Sequence, residues 1–583
     1  MGLCAPRSLF ALGADVVSAR LESWYVADHG PGSMRLRLVN TGPQTLDGFQ
    51  LAFTSVIQLT PMAGAQLVSR VSGWHVVAPP EGGRLQPGEA WEFVLACGFR
   101  PGHANDGPSG AYLVLADGTT EPVRTAPTGR AVVTSARPLR LDIAGSTVAA
   151  AWVTAAERER RLHPDDSPVL TGGEGDVVSA AIDETLGAEE FTIAVAGPLV
   201  TVAAGSPQAL QHAFASLARQ RREGSIRPGR HIPAYGWRGL HVDLARQFLP
   251  AADVEWLIDV AAWRGLNRLH LHLTDDEAWR VPIAAFPALT DVGAWRGHGL
   301  AIPPLYGSGA APFGGSYTRA EIARWVERAT AAGVVLVPEV DLPGHCFAAL
   351  AAVPELRDPA DRSGAVSVQS FVDNVLNPGV AATRPFLETV AGELADLFPS
   401  PWLHVGGDEV PAGAWSGSPA AQAYAAARGR DDGRGIDSAF MAEIIEIVTS
   451  TTGRRVGVWQ EAAEAGALHP GDGYVVGWRS SADCRRLAAA GHTVVAAPAE
   501  VYYLDMAADT AWESPGMSWA GHSSVADIEA FDPAAAWSEA ERERLAGIQA
   551  CLWTEHAPDR PTLERLLFPR LDAIAAAAWA IRP

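Results

Sequence analysis

The sequence predicts an α/β fold in which a (β/α)8 TIM barrel follows a small α+β domain and an N-terminal β-sandwich. From 232 to 583, eight short apolar runs that are typical of buried strands alternate with helical patterns, as in a barrel. Residues 130–231 combine strand and helix patterns, whereas 1–125 contain short alternating runs split by turn residues. A chain of 583 residues with 48% hydrophobic content is large enough for three such domains.

The two regions before the barrel carry strand, helix and turn signals but no catalytic cluster. The alternating runs of the first region favour an antiparallel sandwich, whose role the sequence leaves open. The segment 125–129 is composed of threonine, alanine, proline and glycine, which predicts a linker. In the second region, 191–195 and 199–204 predict a hairpin, and a helix is predicted to begin at Ser206-Pro207.

The predicted barrel contains strands and helices in the required number and order. Its eight candidate strands are 240–244, 268–273, 334–337, 402–405, 456–459, 474–477, 493–496 and 548–553. The clearest amphipathic segments between them are 251–264, 320–332, 384–397 and 438–451. Ionisable or aromatic residues follow every strand, which packing alone rarely requires. Because such barrels place the active site at the carboxyl ends of the strands, a functional site is predicted there.

The composition argues against several classes of partner and site. The formal net charge is −21 and all 45 basic residues are arginines, so neither nucleic acid nor an anionic membrane is expected as a partner. The cysteines are scattered and lack CxxC spacing: Cys4, Cys97, Cys346, Cys484 and Cys551. Neither a disulfide framework nor a zinc ribbon is therefore predicted. Residues 1–17 form a poor secretory signal, which predicts a cytoplasmic location and leaves a periplasmic or secreted one open.

The stretch 403–410 gives the strongest single indication of chemistry. An apolar run ends in two glycines, and the carboxylates of Asp408 and Glu409 follow at once. Glycine lets the backbone turn and leaves room for a ligand to approach. Adjacent carboxylates feel each other's charge, so one of them can stay protonated near neutral pH. The alternative for an arbitrary pair of this kind is that one acid caps the next helix.

Carboxylates among tryptophan side chains suit the hydrolysis of a glycosidic bond. Sugars present hydroxyls to acids and arginine and apolar ring faces to tryptophan, and an acid must protonate the leaving oxygen. The competing hypothesis is a metallohydrolase, because His270 and His272 end a strand as metal ligands do. The bridged two-metal version usually needs a carboxylated lysine, and the sequence has no lysine, but a one-metal version stays open. We expect neither a metal nor a cofactor.

Seven motifs follow one another in order between 233 and the end of the chain. They lie at 235–250, 269–276, 338–345, 404–409, 503–505, 517–521 and 549–555, and include His404-Val405-Gly406-Gly407-Asp408-Glu409 and Tyr503-Leu504-Asp505. Together they resemble the family 20 glycoside hydrolases, the β-N-acetylhexosaminidases. The α+β domain resembles the one that usually precedes this family's barrel, whereas the sandwich falls outside the resemblance. Glu277-Ala278 stands where Gln-Gly is frequent, a departure expected to affect outer-subsite specificity.

The resemblance implies a retaining mechanism in which the substrate's own 2-acetamido oxygen attacks the anomeric carbon. It implies that Glu409 is the general acid and base, that Asp408 holds the acetamido N–H, and that Tyr503 contacts the acetamido oxygen. Asp275 and His345 would adjust the acid–base group. The residues implied to bind the sugar are Arg246, Trp459, Trp478, Asp505, Trp519, Trp553 and Glu555.

The activity implied by the resemblance is that of an exo-β-N-acetylhexosaminidase that releases terminal GlcNAc or GalNAc with retention. Its partners would be N-acetylhexosamine-containing oligosaccharides or glycoconjugates, and self-association as a homo-oligomer is left open. A lacto-N-biosidase-like specificity is the alternative within the family. A sugar-binding barrel without activity is the alternative outside enzymes, although a binding protein has no need for a protonatable acid beside an acetamido-orienting one.

Overall fold

A computed structural model of the chain describes residues 18–26, 33–80, 83–98, 106–125, 138–142, 145–164, 168–171, 176–222, 226–429 and 435–582. The described residues form two compact units, one made of those up to Thr128 together with Gly297–Phe313, the other of those in Gly129–Arg296 and Gly314–Pro583. The predicted linker beyond Thr125 and the segment 1–17, which includes Cys4, lie outside the described residues. The other four cysteines are free thiols and are buried.

The first unit is built on one hydrogen-bonded sheet of nine strands. In sheet order these are Leu59–Ala63, Ala90–Cys97, Ser33–Asn40, Ala19–Val26, Thr120–Arg124, Ser109–Val114, Gln50–Thr54, Trp74–Ala78 and Gln66–Val71. A small ribbon pairs Leu46–Asp47 with Arg84–Leu85. Apolar residues from both halves of the large sheet, among them Leu38 and Phe53, are buried in one core, as in a sandwich.

The second unit contains a seven-stranded sheet before its barrel. In sheet order the strands are Leu170–Thr171, Leu139–Leu141, Asp176–Ile182, Leu199–Ala204, Phe191–Ala196, Gly229–Pro233 and Trp579–Arg582. The predicted hairpin is confirmed, and the predicted helix after it spans Pro207–Arg222 and packs beside the helix Ser146–Leu162. The last strand of the sheet, Trp579–Arg582, follows the barrel in sequence and pairs with Gly229–Pro233.

All eight predicted barrel strands are present and close into a parallel barrel. They are Trp237–Asp243, Arg268–His272, Val335–Leu342, Trp402–Gly406, Arg455–Trp459, Gly473–Gly477, Val494–Ala496 and Leu545–Leu552. The longer helices are Ala251–Trp263, Arg319–Ala332, Thr383–Leu397, Ile436–Thr452, Ser481–Ala489, Pro419–Ala426, Arg560–Leu567 and Arg570–Ala577. The shorter ones are Ala288–Asp291, Phe347–Ala352, Gln460–Glu464, Ala499–Tyr502, Val525–Ala530 and Glu539–Arg542, with a 3-10 turn at Pro354–Leu356. The predicted fold class is confirmed.

Local sequence explains where these helices begin and end. Thr318 caps the helix Arg319–Ala332 because its hydroxyl accepts from the backbone N–H of Glu321. The carboxylate of Glu321 in turn accepts from the backbone N–H of Thr318. Gly333 ends the same helix in the left-handed conformation, with φ of 67°. None of the helices within the described ranges is both long and apolar enough to span a bilayer.

The side chains inside the barrel are set by the register of its strands. Asp243 pairs with His272, His272 with Glu339, and Glu339 with His404, so these polar residues of the first four strands lie at one level. All four are fully buried. Since buried polar groups must find partners inside the protein, this level of the barrel is held by hydrogen bonds as well as by packing.

An ion cluster joins the helix Ser146–Leu162 to two barrel helices. The carboxylate of Asp259, which is 1% exposed, accepts from Arg161 at 2.8 and 3.1 Å, from Arg158 at 3.4 Å, and from Arg328. Burial alone would raise the pKa of Asp259, but the hydrogen bonds and charges of Arg161 and Arg328 lower it below its ordinary value. Removal of this one anion would leave three arginines facing each other.

We expect Asp259→Asn to lower the free energy of unfolding by about 2–4 kcal/mol, because it breaks a buried charge cluster. Glu255→Gln is the matched control, since Glu255 lies on the same helix and also contacts Arg328 at 3.4 Å but is partly exposed. It should cost less than about 1 kcal/mol. Chemical denaturation of the three proteins measures both values, and an equal loss in the two variants would contradict the prediction.

Candidate active site

The turn after the fourth barrel strand places two acids side by side. Gly406 and Gly407 have φ values of 67° and 98°, and Glu409 has a φ of 46°. A Cβ on Gly406 would lie 1.6 Å from Oδ1 of Asp341, so only glycine allows this acid to approach the turn. Asp408 and Glu409 therefore lie at the carboxyl end of the barrel, the position expected from the sequence.

Asp408 occupies an environment that disfavours negative charge. It is 8% exposed, and its Oδ1 has no hydrogen-bond partner among the described residues. Single oxygens of Asp341 and Asp408 lie within 4.8 Å of each other. Burial raises the pKa of Asp341 to about 7. Burial and the charge of Asp341 raise the pKa of Asp408 well above its ordinary value. Both shifts favour the protonated form of these acids, and a cation that formed beside the pair would favour its ionisation.

Glu409 is the more open of the two acids, with 21% of its side chain exposed. Its Oε2 lies 3.6 Å from Nε2 of His345 and accepts from Nε2 of Gln369 at 3.2 Å. Both contacts engage the same oxygen, so Oε1 is the oxygen directed away from these two partners. Gln369 belongs to the loop closed by the bridge between Val366 and Val372.

Asp275 and His345 form the pair that the resemblance implied behind the acid. Oδ1 of Asp275 lies 3.1 Å from Nδ1 of His345. Burial would raise the pKa of Asp275, but Arg246 and His345 hold it well below its ordinary value. Burial would lower the pKa of His345, but Asp275 raises it well above its ordinary value. The pair is thus an ionised carboxylate and an imidazolium that meets Glu409 through Nε2.

Arg246 is almost fully buried among acids. Its guanidinium lies 2.7 Å from Asp275, 3.1 Å from Glu277 and 3.8 Å from Asp243, and 4.9 Å from the ring centre of Trp553. Arg238, the other arginine of this strand region, instead donates to backbone carbonyls and pairs with Glu189. Glu277 was expected to affect outer subsites, but the structure places its carboxylate directly against Arg246.

Two further predicted acids have buried oxygens that lack a partner among the described residues. These are Oδ2 of Asp505 and Oε2 of Glu555. The other oxygen of Asp505 accepts from the backbone N–H of Trp553 at 3.4 Å. Burial raises the pKa of Asp505 to about 7 and that of Glu555 to about 8. Buried oxygens without partners are rare, and ligand hydroxyls would satisfy them.

The predicted aromatic residues form one contiguous wall. Trp478 stacks on Tyr503 with ring centres 6.2 Å apart and meets Trp519 edge-on at 6.0 Å. Tyr503 lies 6.4 Å from Trp553, which lies 5.8 Å from Trp459. Solvent exposure of the side chains increases along the wall, from 1% for Trp459 to 54% for Trp519. The structure thus brings all twelve predicted site residues into one cluster.

The strand-end histidines of the metallohydrolase hypothesis point into the barrel. Nδ1 of His272 and Nε2 of His270 lie 2.8 and 3.1 Å from Oε2 of Glu339. His241, His270 and Glu339 form one set close enough to share a metal ion, and His272, Glu339 and Asp341 form another. Nδ1 of His272 is within hydrogen-bond distance of Glu339, whereas neither nitrogen of His241 has a hydrogen-bond partner among the described residues.

Three site residues were not among those predicted from the sequence. Gln369 lies in a loop that carries no motif, and no sequence signal identified it. Glu339 and Asp341 alternate on one buried strand, and their spacing of two places them on the same face. That face is the barrel interior, so two acids at this spacing were a usable signal.

A closed (β/α)8 barrel whose strand ends gather paired carboxylates, an imidazole and a tryptophan wall is the architecture of a glycoside hydrolase. Residues 235–581 match the family model described as glycosyl hydrolase family 20, catalytic domain. The chain belongs to this family, as its motifs indicated.

Relatives from several bacteria support the same assignment. The chain is 33% identical over 456 residues to a β-hexosaminidase of Vibrio furnissii, a match that covers 77% of this chain and 74% of the relative. It is 33% identical over 462 residues to a β-N-acetylhexosaminidase of Cellulomonas fimi, covering 77% and 86%. A family 20 exo-β-N-acetylglucosaminidase of Vibrio harveyi, solved with N-acetylglucosamine, matches with a TM-score of 0.82 and 28% identity over 97% of this chain and 95% of that one. The last match extends beyond the barrel into the sandwich region.

The raised pKa of Asp505 predicts a pH-dependent stability. The native state keeps the proton up to about pH 7, whereas an unfolded aspartate releases it near about pH 4. Stability from this group is thus present at low pH and is lost as pH rises across that window. Asp505→Asn removes the titration. The free energy of unfolding of this variant, relative to that of the wild type, should therefore be higher by about 1–3 kcal/mol at pH 8 than at pH 5.

Chemical denaturation at the two pH values measures this difference. The exposed Asp472→Asn is the matched control and should show the same small effect at both. If Asp505→Asn also changes stability equally at pH 5 and pH 8, the buried carboxyl does not titrate in this window and the prediction is wrong.

Proposed function

We propose that this protein is an exo-β-N-acetylhexosaminidase that removes terminal non-reducing GlcNAc or GalNAc from β-linked oligosaccharides or glycoconjugates with retention. The observation that carries the proposal is the unequal pair Asp408 and Glu409. One acid is buried beside a second carboxyl, and the other is more open and contacts an imidazolium. The names of the relatives from Vibrio furnissii and Cellulomonas fimi agree with this activity.

The first step is attack by the substrate's acetamido oxygen on the anomeric carbon. Asp408 accepts a hydrogen bond from the acetamido N–H and faces the positive charge that spreads onto that nitrogen. Burial makes the ionised form of Asp408 costly before the reaction. The attraction between this carboxylate and the cation formed in the transition state is therefore stronger than it would be in water. The hydroxyl of Tyr503, whose pKa burial raises well above its ordinary value, stays protonated and donates to the acetamido oxygen.

Glu409 acts twice in this scheme. It first protonates the leaving glycosidic oxygen, and it then removes a proton from the water that opens the oxazolinium ring. Oε1 suits both tasks, since Oε2 accepts from Gln369 and lies 3.6 Å from Nε2 of His345. The imidazolium of His345 stabilises the carboxylate between the two steps.

The remaining site residues would fix the sugar ring. Arg246 would donate to the ring hydroxyls, and the partnerless oxygens of Asp505 and Glu555 would accept from or donate to them. Trp459, Trp478 and Trp553 would enclose the acetamido group and the apolar sugar face, and Trp519 would reach the outer edge.

We expect hydrolysis to depend on the 2-acetamido group and not on a metal. An aryl β-N-acetylglucosaminide should be cleaved at least about a thousand times faster than the matching aryl β-glucoside, which lacks the internal nucleophile. EDTA should leave both rates unchanged. Equal rates for the two substrates would indicate an ordinary two-carboxylate hydrolase, and a loss of activity with EDTA would return the site to the metallohydrolase hypothesis.

Glu409→Gln should lower kcat on an unactivated glycoside by about a thousandfold or more, because the leaving group can no longer be protonated. An aryl substrate with an acidic leaving group needs little protonation, so its bond-cleavage step should suffer far less. Steady-state and single-turnover kinetics measure the two effects. The exposed Glu464→Gln is the control and should behave as wild type, and near-normal turnover of Glu409→Gln on the unactivated glycoside would rule out this role.

A further inference from the structure

Five side chains form a continuous file from the barrel interior to the general acid. Oε2 of Glu339 lies 2.8 Å from Nδ1 of His272, and Nε2 of His272 lies 2.7 Å from Oδ2 of Asp275. Oδ1 of Asp275 lies 3.1 Å from Nδ1 of His345. The last step is an ion-pair contact and not a hydrogen bond, because Nε2 of His345 lies 3.6 Å from Oε2 of Glu409 and has no hydrogen-bond partner among the described residues. Carboxylates and imidazoles alternate along this file, and only Glu409 is appreciably exposed.

The position of His272 requires a proton on both ring nitrogens. Each nitrogen faces a carboxylate oxygen, and a neutral imidazole has only one N–H to donate. Burial lowers the pKa of His272, but the charge of Glu339 and hydrogen bonds to Asp275 and Glu339 outweigh burial and raise it well above its ordinary value. His272 is therefore a buried cation between two anions.

Glu339 is held as an anion by donors on both of its oxygens. Oε1 accepts from Nε1 of Trp459 at 2.8 Å and lies 2.8 Å from Nδ1 of His404, while Oε2 meets His272. Burial would raise the pKa of Glu339, but the charges of His404, His272 and His270 lower it well below its ordinary value. Since Trp459 is one wall of the sugar site, the same carboxylate supports both the file and the wall.

Glu339 and His272 form the inner pair of the file. Asp275 connects this inner pair to His345 and Glu409. Its Oδ2 lies 2.7 Å from His272 and 2.7 Å from Arg246, two cationic donors. Oδ1 accepts from the backbone N–H of Asp276 at 2.6 Å and lies 3.1 Å from Nδ1 of His345. Without His272, Asp275 would lose one of the two cationic donors to its Oδ2 and would be held less firmly in the position that contacts His345.

We infer that Glu339 and His272 are positioning residues for the acid–base chemistry at Glu409, acting through Asp275 and His345. The inner pair fixes the proton arrangement of the file, so that His345 presents an N–H to Glu409 in both halves of the reaction. This inference rests on the proposed role of Glu409 as general acid and base. It extends the functional site to the centre of the barrel, beyond any residue that touches substrate.

Other charged and titratable groups also face the file and must be held constant in any test. The groups near His345 and Glu409 are Asp276, Asp341, Asp408 and Glu461. Those near His272 and Glu339 are Arg246, His241, His270 and His404. His241 provides an internal control, because it is equally buried and neither of its ring nitrogens has a hydrogen-bond partner among the described residues.

The test compares Glu339→Gln and His272→Gln with His241→Gln and wild type. Each of the first two variants removes the cation at position 272, the second directly and the first by removing its counter-anion. His272→Gln removes a cation from the file, so the protonated acid persists to higher pH and the basic limb of the pH–kcat profile should move up by about 0.5–1 unit. Glu339→Gln removes an anion as well, and because that anion lies farther from Glu409 than the cation does, its shift should have the same sign and be smaller. The ratio of kcat/KM for an activated aryl substrate to that for an unactivated glycoside should rise about tenfold or more.

His241→Gln should leave both the basic limb and this ratio at their wild-type values. If Glu339→Gln and His272→Gln lose activity equally on both substrates, with the pH profile unmoved, their role is only structural and the inference is overturned. If one of them does not fold, the other carries the test, and Glu339→Asp, which keeps the anion, should restore the pH profile. Glu409→Gln distinguishes failure of the proposed function from failure of the inference. If Glu409→Gln turns over the unactivated glycoside normally, the proposed function fails. If it is inactive while Glu339→Gln and His272→Gln match wild type, only the inference fails.

Discussion

The carboxylate of Glu339 is the interaction on which the interior of the barrel depends. A buried anion is tolerated only when donors surround it, and here the donors come from three other strands: His270 and His272, His404, and Trp459. Four adjacent strands are thereby fixed in one register by polar contacts. Polar contacts of this kind help to preorganise the side chains at the strand ends.

The site contains buried aspartates whose pKa values are shifted in opposite directions. Asp275 lies among cations, which hold its pKa well below the ordinary range, whereas Asp341 is buried with fewer positive neighbours, and burial raises its pKa to about 7. The anion of Asp275 contacts arginine and histidine, whereas an acid with a raised pKa can exchange a proton near neutral pH. The division of labour arises from environment rather than from residue identity.

Sequence patterns were sufficient for most of the fold and for the groups expected to touch substrate. Buried parallel strands appear as short apolar runs, and the Gly-Gly-Asp-Glu run marks a turn into a ligand site, so both were accessible without coordinates. The partners of Glu339 were not accessible, because they come from strands more than 60 residues apart in sequence. The contact between Glu277 and Arg246 was not accessible either, since it depends on how the loop after the second strand folds back.

The strand Trp579–Arg582 has a consequence for the order in which the second unit can be completed. It supplies the edge of the seven-stranded sheet beside Gly229–Pro233, although the whole barrel separates the two in sequence. During synthesis Gly229–Pro233 therefore remains the edge strand of this sheet until the barrel has been made. In that interval its backbone N–H and C=O groups are open to pairing with another chain, and the docking of Trp579–Arg582 covers them.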